Sequence, residues 1–215
     1  MRSFFVSSTL ALVVAMPAIA GPVGDAAKAG NTAEIERLLV AGADANEEDS
    51  MASPMHWAAM NGHADVVKVL AENGAELDAQ SSMLGAPLHA ASRFDRGDAI
   101  NELLAAGADP DVRDRDNFTP LMRAIVENRT GAAQALISGG ADINAIGDAP
   151  GGTQIGLGPT IALQLAISFE REDITAMLLA AGAGSIVPDV PANLNEMGDS
   201  ERGRELAYAR CGGCH

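Results

Sequence analysis

The stretch Arg210-Cys211-Gly212-Gly213-Cys214-His215 holds both cysteines of the 215-residue chain and one of its four histidines. Two thiols three positions apart, with an imidazole beside the second, can serve three chemistries. A redox dithiol places Cys-x-x-Cys after a strand, at a helix start in a βαβ unit; here Cys211 follows a helical stretch and no βαβ pattern occurs. A closed zinc site takes four ligands, and Cys211, Cys214 and His215 supply three. Covalent haem attachment needs two thiols spaced for the two vinyl groups and a histidine beside the second thiol to bind iron, and Cys-x-x-Cys-His is the motif for it. With 4 histidines in 215 residues, chance would put one after a Cys-x-x-Cys only about 2% of the time. Haem has the best case of the three.

The residues before the motif add to it. SIVPDVPANLNEM carries Pro188 and Pro191 and reads as a linker over 186–197. GDSERGRELAYAR then reads as a short helix capped at Asp199 or Ser200, with Gly203, Leu206 or Ala207, and Arg210 along one side. A glycine inside a helix costs about 1 kcal/mol against alanine, which is easiest to justify where another helix approaches closely. GDSERGRELAYARCGGCH resembles the opening of class I c-type cytochromes, in its Gly-Asp start, its glycine eight before the first cysteine, and its leucine and aromatic near the motif. The resemblance implies that Cys211 and Cys214 are thioether anchors for haem c and that His215 is the proximal axial ligand of its iron. Tyr208 stands one place off the family's aromatic position, which Ala207 holds. The likeness covers only 198–215. Class I cytochromes take their second axial ligand from well downstream and close the pocket with a C-terminal helix. The resemblance therefore implies a partial cytochrome c domain and a chain read only in part.

Most of the sequence builds something else. Gly42-Ala43, Gly74-Ala75, Gly107-Ala108, Gly140-Ala141 and Gly182-Ala183 recur at spacings of 32, 33, 33 and 42. Leu38, Leu70, Leu103, Leu136 and Leu178 stand four residues before those glycines, and Pro22, Pro54, Pro87, Pro120 and Ala162 twenty before. A fixed period near 33 marks a repeat array. Within SPMHWAAMNGHADVVKVLAENGAELDA, Ser53 is placed to cap a helix starting at Pro54, whose missing N–H costs nothing there. A second helix begins near Ala64, presents Val66, Val67, Val69 and Leu70 inward, and ends where Gly74 turns left-handed. Aromatics make up only 3% of the chain, so its core must come from many small aliphatic contacts, which suits stacked short helices.

SPMHWA, APLHAA and TPLMRA, with the endings GADAN, GAELD, GADPD and GADIN, resemble the ankyrin repeat family. The resemblance covers 22–185 and implies an all-α solenoid of about five helix-turn-helix units, the first lacking the Leu-His element and the fifth, IALQLA, drifted at its proline and histidine positions. It implies that His56 and His89 hydrogen-bond neighbouring backbone and that His63 serves the turn between helices, so none of the three is expected to bind metal. Trp57 and Met55 are expected to fill the stack. It further implies that turn tips and first helices form a concave face for protein partners. Glu47, Glu48 and Asp49, and Asp109, Asp111, Asp114 and Asp116, make those tips acidic. A cationic patch on a partner, steered by that charge, and a plain solvated face both fit. Their spacing is not that of a calcium loop. The nine extra residues in GDAPGGTQIGLGP read as an insertion loop, without the strand and helix start of a phosphate cradle.

MRSFFVSSTLALVVAMPAIA has one basic residue, an apolar run and the small-x-small ending Ala18-Ile19-Ala20, which describes a signal peptide over 1–20. Loss of Arg2 leaves 13 basic against 29 acidic side chains, a net charge of −16 where the whole chain has −15. Such a surface repels nucleic acid. No later apolar run is long enough to span a membrane, and an exported, periplasmic location is expected. No catalytic triad, paired-carboxylate site or nucleotide motif occurs, so an electron carrier or binding protein is expected rather than an enzyme. Two readings result. One is an exported ankyrin-repeat c-type cytochrome that transfers single electrons and docks, through its array, on a protein partner such as a redox protein. The other is a haem-free periplasmic interaction module with its terminal cysteines in a disulfide.

Overall fold

The computed structural model describes residues 22–49, 51–147 and 160–183. The expected signal peptide, most of the insertion, the linker 186–197 and all of 198–215, with Cys211, Cys214 and His215, lie outside the described residues.

Ten helices among the described residues form five pairs: α1 (Pro22–Ala29) with α2 (Thr32–Val40), α3 (Pro54–Asn61) with α4 (Ala64–Glu72), α5 (Pro87–Arg93) with α6 (Gly97–Ala106), α7 (Pro120–Val126) with α8 (Thr130–Ser138), and α9 (Ala162–Ser168) with α10 (Glu172–Ala180). Each first helix starts at the recurrent proline, or at Ala162 in the fifth pair. Past each second helix the closing glycine is left-handed, with φ of 81° at Gly74 and 101° at Gly107, a conformation that costs glycine nothing. The odd-numbered helices pack side by side in one layer and the even-numbered ones in a second. Between them lies one continuous core that includes Met55, Val67, Leu70, Leu88, Ile100, Leu103, Phe118, Leu121, Ile125, Leu136 and Leu165, all fully buried, with alanines filling the gaps. No pair could bury such a face alone; stacking supplies the cover.

The helix starts are capped by two interchangeable devices. Nδ1 of His56 accepts the N–H of Ser53 at 3.3 Å, while the Ser53 hydroxyl bonds that nitrogen at 2.8 Å rather than capping the helix directly. In the third pair Ala86 has no acceptor, and Nδ1 of His89 takes its N–H at 3.2 Å. In the fourth, Met122 replaces histidine and the Thr119 hydroxyl accepts the Met122 N–H at 3.3 Å. The fifth pair, with Ile161 and Gln164, has no side-chain cap at its N-cap residue.

A second column ties neighbouring pairs. The residue before each second helix is His63, Arg96, Arg129 or Arg171 from the second pair onward. Each donates to a carbonyl near the C-terminus of the preceding first helix: Lys28 O at 3.2 Å, Met60 O at 3.1 Å, Arg93 O at 2.8 Å and, from Arg171, Val126 O at 3.0 Å. Helix C-termini present carbonyls without intrahelical partners and a partial negative charge, which suits N–H donors and the three arginines above all. Before these donors stand Gly62, Asp95, Asn128 and Glu170, all left-handed.

The insertion departs from a plain loop at its base. Ile146–Gly147 (β1) and Thr160–Ile161 (β2) pair antiparallel, with Ile146 opposite Ile161, so the extra residues leave and rejoin the array through a short ladder.

Candidate docking face

The loop tips precede the first helices, and those before the second, third and fourth pairs are each organised around one side chain. Asp49 Oδ1 accepts the N–H groups of Met51 and Ala52 at 2.8 and 2.9 Å. Its Oδ2 accepts from Lys28 Nζ at 3.0 Å and from Trp57 Nε1 at 2.9 Å. Burial opposes ionisation of Asp49, but these backbone donors and the ammonium outweigh it and hold its pKa at about 2. Ser81 does the same work in the next tip: its Oγ accepts from Met83 and Leu84 N–H at 3.2 and 3.3 Å and donates to Met51 O at 2.7 Å. In the third tip Asp114 Oδ1 accepts from Asp116 and Phe118 N–H, both at 3.0 Å, and Oδ2 accepts from Arg123 Nε at 2.6 Å. Burial pushes the Asp114 carboxyl up, yet Arg123 and the Phe118 N–H bring it below its ordinary value. Arg123 also holds Asp116.

A separate ladder runs along the tips behind the closing glycines. Asn46 Oδ1 accepts the Glu76 N–H at 2.7 Å, Asp78 the Asp109 N–H at 3.2 Å, and Asp111 the Asp142 N–H at 2.9 Å. Burial raises the pKa of both Asp78 and Asp111.

These bonds change the meaning of the acidic tips. Of the residues singled out by charge, Asp49, Asp111 and Asp114 are structural acceptors and Asp116 is paired with Arg123. They build the tips rather than offering a free field to a partner. Trp57 is likewise more than filling: it is half-buried, bonded to Asp49, and Lys28 sits 4.4 Å from its ring centre. Met55 is fully buried as expected.

What the face does expose is mixed. Met51 and Met83 stand out of the tips at 40% and 62% exposure. Between the second and third tips a half-open depression of about 230 Å³ is lined by Met83, Leu84, Arg93, Arg115 and Arg123, among others. Arg93 donates to Met83 O at 3.3 Å and lies 3.9 Å from Glu127. So shallow and open a hollow suits contact with a protein surface better than enclosure of a small substrate.

The histidines lie where repetition puts them. Their second nitrogens reach backbone: His56 Nε2 to Gly85 O at 2.8 Å, His63 Nε2 to Lys28 O at 3.2 Å. Among the described residues no group of His, Cys, Asp or Glu could hold a metal ion, and no helix is long and apolar enough to cross a membrane. The arginine column was the feature sequence reading missed. Its signal is a basic residue directly after each left-handed turn residue, once His63 is aligned with Arg96, Arg129 and Arg171.

A family model described as ankyrin repeats, in three copies, matches residues 23–114 and 86–147. No curated protein matches the chain.

Proposed function

Because the chain belongs to the ankyrin-repeat family, whose members are generally protein-binding modules without catalytic activity, we propose that it is an exported docking array carrying one covalent haem c for one-electron transfer. The docking half is supported by the row of first helices and tips, which exposes Met51, Met83 and Arg115 around a half-open depression. The haem half is supported by one observation, the donor set Cys211-Gly-Gly-Cys214-His215. Two thiols at this spacing suit the two vinyl groups, and the adjacent imidazole suits the iron. Held there, the haem would supply an iron that gains and loses one electron, at a potential set by axial ligation and burial. The chain's own part is to anchor the porphyrin through Cys211 and Cys214, to ligate it through His215, and to bring it against a redox protein through the array. The N-terminal twenty residues support export to an oxidising compartment such as the periplasm, where the thiols meet the haem.

The test is expression of the full reading frame, signal included, in a host that matures c-type haem outside its cytoplasm. A haem stain that survives a denaturing gel, and is lost when Cys211→Ser and Cys214→Ser are combined, supports the reading. Colourless exported protein with the two sulfurs joined to one another rejects it and leaves a docking module alone.

A further inference from the structure

The outer face of the fifth pair differs from the same face of the four before it. Five residues after the start of each first helix stand Ala27, Ala59, Ser92 and Ile125, all at 0% exposure beneath the next pair. In the fifth pair that residue is Ile167, at 59%. One residue after each start stand Val23, Met55, Leu88 and Leu121, again at 0%, while Leu163 is only half-buried. Terminal repeats stay soluble by turning a polar face outward; this one keeps isoleucine and leucine there.

A second observation points to what covers it. Asn46, Asp78 and Asp111 each receive the N–H two residues past the next closing glycine. Asn144 holds the same register, and its Oδ1 is buried with no partner among the described residues. Two residues past the closing Gly182 stands Gly184. From closing glycine to the next first helix takes 12 residues at Gly42 to Pro54, and 13 at Gly74 to Pro87 and at Gly107 to Pro120. The same count from Gly182 ends at residues 194–195. Leu194 and Met197 are three apart, the spacing of neighbours on one side of a helix.

We infer that residues 184–197 fold back on the fifth pair, the Gly184 N–H on Asn144 Oδ1, and Leu194 and Met197 over Leu163 and Ile167. The occupant of the exposed end is thus this chain's own segment, whether or not the cysteines beyond it carry haem.

The test is a thermal double-mutant cycle on the full chain with Ile167→Asp and Met197→Asp. Each single change lowers the melting temperature by about 2–4 °C, and the double change lowers it no further than the larger single. Should an aspartate abolish folding, Ile167→Ala with Met197→Ala gives the same cycle on a smaller scale. Additive shifts, or no effect of Met197→Asp, overturn the inference. So does light scattering that finds a dimer which Ile167→Asp dissociates and Met197→Asp leaves intact, since a second copy would then be the cover.

Discussion

Nε2 of His89 lies 2.9 Å from the carbonyl oxygen of Phe118, so one imidazole joins the start of its own helix to the tip of the next pair. With Nδ1 accepting the Ala86 N–H, the proton must sit on Nε2, and the ring is neutral. Burial drives the pKa of His89 down, and the nearby Asp114, 3.9 Å away, does not restore it. That contact is therefore not an ion pair.

The protein is predicted to lose stability in acid from two sources. His56 and His89 have lowered pKa values in the fold, so the unfolded chain binds more protons once pH falls below about 6.5, and stability falls with pH from there. Asp49, held at about 2 against an ordinary 3.8, contributes stability that is present above pH 4 and lost as pH falls towards 2; its partial exposure limits this to about 1 kcal/mol. Urea melts from pH 8 to pH 3 should show both falls. His89→Gln should lose the first in part, and a flat profile across pH 7–5 would contradict the assignment.

Asp78 and Asp111 behave oppositely. Their raised pKa values mean that the fold favours the protonated form, so their contribution declines as pH rises through the folded pKa. Asn46 fills the same register without charge and adds an Nδ2 bond to Gly74 O at 3.3 Å. Asp78→Asn is therefore expected to stabilise the protein at pH 7 by about 0.5–1 kcal/mol, measured by chemical denaturation, with the gain vanishing below pH 4.

Loss of one rung from the arginine column should cost more than an ordinary surface change. Arg129→Ala removes the 2.8 Å bond to Arg93 O and leaves a helix-end carbonyl without its donor, at about 1–2 kcal/mol. Arg129→Lys should recover only part, because the flexible ammonium stem loses more freedom than the planar guanidinium in making the one bond that Nε makes here.

Glu170 carries φ of 56° where the second pair has Gly62 at 80°. Glu170→Gly should raise stability by about 0.5 kcal/mol by relieving the left-handed strain. Gly62→Ala should lower it by about 1–2 kcal/mol, since φ is left-handed and a Cβ would meet Arg96 Cδ at 2.8 Å. Opposite signs at one register position are the expected result.

The scaffold was legible because its signals are local and repeated. Proline at Pro54, Pro87 and Pro120 marks a helix start, and Gly74 or Gly107 marks an end, by backbone stereochemistry alone. The acidic residues were not legible in the same way. Sequence displays the charge of Asp49 and Asp114 but not the backbone N–H groups they accept, so structural acceptors read as a surface field. Arg96, Arg129 and Arg171 escaped notice because His63 breaks the column's residue type, and Trp57 because its polar nitrogen matters only beside Asp49. CGGCH is legible by chemistry, and its five residues lie outside the described part of the fold.

The most direct measurement is the intact mass of the mature protein, produced from its full reading frame and exported with c-type haem maturation. The expected product is a chain cut after Ala20 and heavier than its polypeptide by one haem, with the addition lost when Cys211 and Cys214 are both serine. A polypeptide of unmodified mass, or one lighter by the two hydrogens of a disulfide, would contradict it.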